Sequence, residues 1–175
     1  MKRFFAYWAF IFRSTNEHGV HSPFIYTLIT KGLYAKNKSK NGLFLPLRGM
    51  SAKQTALVEQ IVQHLDIRTI ASDRELLPKE TLGNPLSCRK FDETSDATFD
   101  AILLSQTGTT LPDTILSQMH NDSILILNNP HSKTNTALWQ ALCEHPRTTA
   151  IVDTYLQGYV FIRREQKKEL FFIRI

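Results

Sequence analysis

Two short apolar runs in the second half of the chain constrain its fold most. They are "FDAILLS" at 99–105 and "DSILILNN" at 122–129. Runs of this length are typical of strands that are buried on both faces of a parallel sheet. A helical segment follows each run, "LPDTILSQMH" at 111–120 and "TNTALWQALCEH" at 134–145. Strands alternating with helices of this length predict parallel βαβ units.

The flanking segments extend this pattern. Ser51 is a predicted N-cap for a helix that begins at residue 52, and "IRTIAS" at 67–72 indicates a short strand. Near the end, "TTAIVDTY", "YVFIRR" and "LFFIRI" are separated by short turns at Gln157-Gly158 and at "EQKK", so successive strands should run antiparallel. Residues 51–175 therefore predict an α/β, Rossmann-like, mostly parallel sheet with antiparallel C-terminal edge strands and helices on both faces.

Residues 1–50 are predicted to form a basic, aromatic helical extension. They contain eight Lys or Arg and one Glu, a net charge of +7, whereas the remaining 125 residues are slightly acidic. The apolar run at 4–12 covers nine residues, and a transmembrane helix needs about 20. We therefore expect a helix over 2–13 that packs on the body of the protein. A second helix should begin at Ser22, with Pro23 in its first position.

Composition is that of an ordinary globular domain, with 42% apolar and 21% charged residues in a chain of 175. The two cysteines, Cys88 and Cys143, show no paired spacing. This usage argues against a disulfide scaffold or a zinc module and fits a reducing compartment. We expect a cytoplasmic protein with no transmembrane segment.

The stretch "HGVHSPF" at 18–24 contains two histidines three residues apart. A His-x-x-His pair can bind a metal ion, but two ligands are too few and no further cluster completes the set. Gly19 between the histidines indicates a turn, and Ser-Pro indicates the start of a helix. A structural joint is the favoured interpretation, a ligand-lining role is the alternative, and no metal site is predicted.

With these motifs the chain resembles a bacterial family of class I S-adenosylmethionine-dependent methyltransferases with a small-molecule O-methyltransferase-like layout. Members of that family open with an aromatic, basic helix followed by H-G-[VIL]-H-S-P-F. They close with a helix carrying a Trp, a His-Pro stop and an ending like the "GYVFIRREQKKELFFIRI" of this chain, where the other counterparts are Trp139 and His145-Pro146. The two matching end blocks cover about half of the chain.

The resemblance implies a cofactor site at the loops that follow the predicted strands. The candidate pocket residues are Asp73, Ser105, Asn128, Asn129 and His131. Ligands of open α/β sheets bind at this edge of the sheet. For His131, a helix-capping role within "NNPHSKTN" is an equally good interpretation, because Asn, Ser and Thr all serve as caps.

The sequence departs from the family at each of these loops. The family's E-L-G-T-S-x-G is replaced by Ser72-Asp73-Arg74-Glu75, and no glycine follows until Gly83. The acid that ends the second strand and holds the ribose has no counterpart. The family's D-G-x-H and D-D-I-H become "SQTG" at 105–108 and "NNPH" at 128–131. Amides cannot act as general bases, so no catalytic residue is assigned.

Three functions follow as expectations. The first is a degenerate, non-catalytic methyltransferase-fold protein that acts as a binding or scaffold protein, with a protein partner or a second copy of the chain. The second is an active S-adenosylmethionine-dependent methyltransferase with an atypical cofactor loop. The third and weakest is a binder of nucleic acid or an anionic membrane surface through the basic N-terminus. S-adenosylmethionine is the cofactor that the resemblance implies, and the missing glycines and acids count against its binding.

Overall fold

The computed structural model describes residues 7, 10–12, 14, 20–35, 49–76, 86–108 and 110–175. The strands are β1 (Thr69–Ser72), β2 (Ser87–Lys90), β3 (Phe99–Leu104), β4 (Met119–Asn128), β5 (Ala150–Asp153), β6 (Gln157–Phe161) and β7 (Glu169–Phe172). The helices are α1 (Pro23–Thr27), α2 (Ala52–His64), α3 (Pro112–Ser117) and α4 (Thr136–Glu144). A π-helical turn, Leu28–Leu33, continues α1.

The strands form one seven-stranded sheet in the order β2-β1-β3-β4-β6-β5-β7. Strands β2, β1, β3 and β4 are parallel neighbours. Strand β6 is antiparallel to both β4 and β5, and β7 is parallel to β5. The predicted α/β class with a mostly parallel sheet is confirmed. Strand β5 runs in the direction of β4, β6 reverses this direction and β7 reverses it again, with β6 inserted inside the sheet and β7 at its edge.

Successive side chains of each strand point to opposite faces of the sheet, so a hydrophobic core forms on each face. On one face, Leu103 of β3 and Ile126 of β4 pack with α2, α1 and the π turn. On the other face, Ile102 and Leu104 of β3 pack with α3 and α4. Strands β1, β3 and β4 are therefore covered on both sides, which explains why residues 101–104 of β3 and 124–127 of β4 are continuously apolar. Strand β2, at the edge of the sheet, is mostly exposed.

The N-terminal helix begins as the sequence predicts. Ser22 occupies the N-cap, its hydroxyl accepts a hydrogen bond from the Ile25 amide, and Pro23 is in the first turn. The π turn that follows was not predicted, and in it the Tyr34 amide donates to the Ile29 carbonyl at 2.8 Å. Of the predicted helix over 2–13, residues 7 and 10–12 are described and are helical. The basic stretch 36–48 lies outside the described residues.

The two end blocks of the chain contact each other. Ser22 Oγ donates to Gln166 Oε1 at 2.7 Å, and the rings of Phe24 and Phe161 meet edge to face with centroids 5.0 Å apart. The guanidinium of Arg163 lies over the Phe24 ring, 4.5 Å from its centroid. The Ser-Pro-Phe part of the opening motif is thus a joint between α1 and the C-terminal strands. His18 and Gly19 lie outside the described residues.

The predicted turn at Gln157-Gly158 is wrong. The chain turns at 154–156, where Tyr155 has a positive φ of 67°, and both Gln157 and Gly158 belong to β6. Gly158 serves packing instead, because an added Cβ would lie 2.3 Å from the ring of Trp139 on α4. A glycine inside a strand often marks such a close approach.

Candidate functional site

The carboxyl ends of the parallel strands define the edge where a ligand is expected. From β1 the chain passes to β2 on one side and then to β3 on the other, so the strand order reverses between β1 and β3. Open α/β sheets bind ligands in the crevice at such a switch point. Asp73 directly follows β1 and Ser105 directly follows β3, so these two candidates face the switch point from opposite sides.

Asp73 occupies this crevice with its own carboxylate. Asp73 Oδ2 accepts hydrogen bonds from the backbone amides of Ser105, at 2.9 Å, and Gln106, at 2.6 Å. The Asp73 amide in turn donates to the Leu103 carbonyl at 3.3 Å. Two adjacent backbone amides that point at one oxygen are an arrangement that binds the anionic oxygen of a ligand. Here the Asp73 carboxylate occupies the position of such an oxygen.

Asn128 lies at the end of β4 in a buried chain of side-chain hydrogen bonds. Its Nδ2 donates to Ser105 Oγ at 3.0 Å, and its Oδ1 accepts from Gln157 Nε2 at 2.6 Å. The Tyr159 hydroxyl donates to Gln157 Oε1 at 2.7 Å. Asn128, Gln157 and Tyr159 are completely buried. The structure therefore brings Ser105 and Asn128 into contact, together with Gln157 and Tyr159, two residues that the sequence does not indicate.

Asn135 is a further member that the sequence analysis missed. Its Nδ2 donates to the carbonyls of Ser105, at 3.0 Å, and Asn128, at 2.7 Å. Its Oδ1 accepts from both the amide and the hydroxyl of Thr107 at 3.4 Å. Asn135 occupies the N-cap of α4, but its side chain makes no capping hydrogen bond. Its side chain instead links the ends of β3 and β4 by hydrogen bonds. The one sequence signal that could have indicated Asn135 is its position directly before a helix.

Asn129 is held by the helix that precedes β1. It adopts a left-handed backbone with φ of 49°, and its Oδ1 accepts from Gln54 Nε2 at 3.1 Å. The same Gln54 nitrogen donates to the Leu156 carbonyl at 3.1 Å. Gln54 also forms the capping box of α2 with Ser51, the predicted N-cap. Asn129 is thus a structural contact between two elements.

His131 lies in a second group of side chains. Its Nε2 is 2.8 Å from Oδ2 of Asp153, a carboxylate that is only 1% exposed. The imidazole stacks on Tyr155 with ring centroids 5.1 Å apart and an interplanar angle of 19°. Asp153 Oδ1 accepts the Tyr155 amide at 2.7 Å, which fixes the carboxylate. No hydrogen bond among the described residues connects His131 with the group around Asn128, and α4 has no side-chain capping hydrogen bond.

Two clefts formed by described residues open at this edge of the sheet. The smaller, about 260 Å³, lies over Ser105, Gln106 and Asn129. The larger, about 480 Å³, lies between the loops that follow β1 and β2 and is lined by Asp73, Arg74, Glu75, Leu76, Cys88, Arg89 and Lys90. Only the larger one has the size of an ordinary small-molecule pocket.

The cysteines are not activated nucleophiles. Burial raises the pKa of Cys88, which borders the larger cleft, to about 11. Burial and then the charge of Asp153 raise the pKa of Cys143 to about 12. A reactive cysteine needs a thiolate at neutral pH, so both thiols remain protonated and unreactive. Within the described ranges, no group of three or more His, Cys, Asp or Glu is placed to hold a metal ion.

Comparisons of this chain with protein-family models, with curated proteins and with solved structures find no match. None of the helices in the described part of the chain combines the length and the apolar character that crossing a membrane requires.

Proposed function

We propose that this chain is a degenerate, non-catalytic relative of the methyltransferase family it resembles, and that it acts as a binding or scaffold protein. One observation carries the proposal, the Asp73 carboxylate bound to the amides of Ser105 and Gln106. A cofactor reaching the switch point would have to break two charge-assisted hydrogen bonds and expose both amides.

The side chains around the crevice support the same proposal. Asn128, Asn135 and Gln157 use both their amide oxygen and their amide nitrogen in hydrogen bonds to the protein. None of the three can accept a proton from a substrate at neutral pH. Strand β2 ends at Lys90, where the family has its ribose-binding acid. These three amide side chains stabilise the sheet edge, and none of them provides a group for acid–base chemistry.

A second candidate function, an active methyltransferase, draws support from the pair of His131 and Asp153. A histidine oriented by a buried carboxylate at 2.8 Å is an arrangement typical of a general base. The imidazole remains 24% exposed and can reach a substrate. If this function holds, His131→Ala abolishes methyl transfer and leaves binding of S-adenosylmethionine unchanged.

We also propose a cytoplasmic location. Cys88 and Cys143 are both free, which fits a compartment that keeps thiols reduced.

Titration calorimetry with S-adenosylmethionine and S-adenosylhomocysteine tests the proposed function. The purified protein should show no binding heat with either compound at millimolar concentration, while circular dichroism confirms that the sample is folded. Micromolar binding of either compound would contradict the proposal and favour the methyltransferase, and His131→Ala would then be assayed for methyl transfer.

A further inference from the structure

We propose that the larger cleft, between the loops that follow β1 and β2, binds a nucleoside phosphate. This inference rests on the proposed function, because it assigns to the cleft a ligand other than the family's cofactor. The ligand class is argued from the charge, the unsatisfied atoms and the apolar wall of the cleft.

The position of the cleft is that of a nucleotide site. Strands β1 and β2 are parallel and in register, with Ser72 opposite Lys90, so their carboxyl ends open to the same side. The Phe91 amide donates to the Ser72 carbonyl at 2.7 Å and fixes the two loops relative to each other. The volume of about 480 Å³ suits a small molecule of nucleotide size.

The charge of the lining favours an anion. Among the described lining residues are three cations, Arg74, Arg89 and Lys90, and two carboxylates, Asp73 and Glu75. Asp73 Oδ2 already accepts hydrogen bonds from two backbone amides. The three cations should therefore dominate the electrostatic potential that acts on a ligand in the cleft. In dinucleotide-binding sheets an acid near the end of the second strand holds ribose hydroxyls, whereas a nearby arginine accommodates a ribose phosphate.

The nearest acid beyond β2 does not offset these cations. Asp92 Oδ1 accepts from the amide and the hydroxyl of Thr94, at 2.9 and 2.8 Å, and so closes a local turn. Asp92 is not among the residues that line the cleft.

Two buried atoms of residues that line the cleft lack a hydrogen-bond partner in the described structure, although Arg74 also borders the smaller cleft. They are Nε of Arg74 and Oδ1 of Asp73. A buried polar atom without a hydrogen-bond partner destabilises the folded state, so a ligand group that pairs with either atom would be favoured. The guanidinium nitrogen needs an acceptor, such as a phosphate oxygen, and the carboxylate oxygen needs a donor, such as a ribose hydroxyl. A nucleoside phosphate offers both, with phosphate oxygens as acceptors and ribose hydroxyls as donors.

The remaining wall is apolar. Leu76 is buried, and Cys88 is half-buried with a protonated thiol. Apolar walls with a few convergent polar groups are the usual composition of small-molecule sites. Leu76 and Cys88 provide a surface against which a base can pack.

Titration calorimetry at fixed, moderate ionic strength tests the inference, with AMP, ADP, inorganic phosphate and S-adenosylhomocysteine as separate probes. AMP or ADP should bind, inorganic phosphate should bind at least about tenfold more weakly, and S-adenosylhomocysteine should give no heat. The double variant Arg89→Gln/Lys90→Gln should weaken nucleotide binding by about tenfold or more, because charge-assisted hydrogen bonds to phosphate are lost.

The matched control is Arg147→Gln/Arg164→Gln, which removes the same charge from a different cleft of about 340 Å³. It should leave nucleotide affinity within about twofold. An equal loss in both double variants would overturn the inference, since binding would then follow net charge alone. The inference would also be overturned if the wild type bound neither AMP nor ADP, or if it bound a short RNA but not AMP or ADP. Heat with S-adenosylhomocysteine would instead overturn the proposed function, so the two failures are distinguishable.

Discussion

The carboxylate of Asp73 accepts the backbone amide of Ser105 at 2.9 Å, and this contact joins the loop after β1 to the loop after β3. The same oxygen accepts the Gln106 amide at 2.6 Å. These amides lie at the switch point of the sheet, where open α/β folds receive their ligands. The chain therefore satisfies with its own side chain the donors that a bound anionic group would otherwise use.

Removing this carboxylate should destabilise the protein without creating a cofactor site. We expect Asp73→Ala to lower the free energy of unfolding by about 1–3 kcal/mol, because two amides lose a charged acceptor. Asp73→Asn should lower the free energy of unfolding by less, since the Asn side-chain oxygen can still accept hydrogen bonds from these amides. Urea unfolding measures the free energy of unfolding of both variants. Asp96→Ala, at an exposed position, is the control and should change this free energy by less than about 0.5 kcal/mol. Equal effects of Asp73→Ala and Asp96→Ala would contradict the assigned contact.

The contact between Gly158 and Trp139 predicts a severe cost for a single methyl group. In Gly158→Ala, the new Cβ would lie 2.3 Å from the Trp139 ring. Overpacking of this kind costs about 1–3 kcal/mol or more. Thermal unfolding of Gly158→Ala, Trp139→Leu and the double variant forms a double-mutant cycle. The double variant should be more stable than the sum of the single changes predicts, and strict additivity would show that the ring is not the obstacle.

Asp100 predicts a pH dependence of stability. Burial alone would raise the pKa of the Asp100 carboxyl. The opposing hydrogen bonds from the amides of Arg68 and Thr69, from the Thr69 hydroxyl and from His120 hold that pKa below 3.8. A carboxyl whose pKa is depressed in the folded state stabilises it above the unfolded pKa and loses this contribution as pH falls through the folded pKa.

The variant Asp100→Asn should therefore be less stable than the wild type at pH 7, by about 1–2 kcal/mol. Urea unfolding from pH 7 to pH 2 should show a constant difference down to about pH 4, followed by a steady decrease. A difference that does not change between pH 7 and pH 2 would contradict the role of the ionised carboxylate.

Restoring one acid of the family's pattern should harm the fold. Asn128 is completely buried between Ser105 and Gln157. In Asn128→Asp a carboxylate would be buried without a cationic partner, which raises its pKa and favours the neutral form. We expect the free energy of unfolding of this variant to be lower than that of the wild type by about 2 kcal/mol or more at pH 7. The difference should be smaller at pH 5. Gln140→Glu, the same amide-to-acid change on an exposed part of α4, should show neither effect.

Much of the fold could be predicted because its signals are local. The apolar runs of β3 and β4 can be buried only between two layers of helices. Ser22, Ser51 and Pro112 begin α1, α2 and α3 as the sequence indicates, since capping depends on a few adjacent residues.

The arrangement of the C-terminal strands could not be predicted from such signals. Successive antiparallel strands with short turns are compatible with several orders in a sheet, and the insertion of β6 between β4 and β5 is set by packing. The sequence predicts a turn at Gly158 because glycine favours turns, whereas its place in β6 depends on close packing against the Trp139 ring of a distant helix.

The candidate site was predicted in part. The ends of β1, β3 and β4 indicated Asp73, Ser105 and Asn128, and these residues do lie at one edge of the sheet. What each side chain binds depends on contacts between distant segments, such as Asn135 with the ends of β3 and β4. Local sequence patterns carry no information on such contacts, so a pocket residue and a structural residue look the same there.

Amide hydrogen exchange of Ser105 and Gln106 is the most direct test of the claim that Asp73 occupies the switch point. In the wild-type protein both amides should be protected, and in Asp73→Ala both should exchange about tenfold faster or more, while amides of β4 keep their protection. If Ser105 and Gln106 exchange at the same unprotected rate in both proteins, the carboxylate does not hold these amides. The crevice would then be open to a cofactor, contrary to this account.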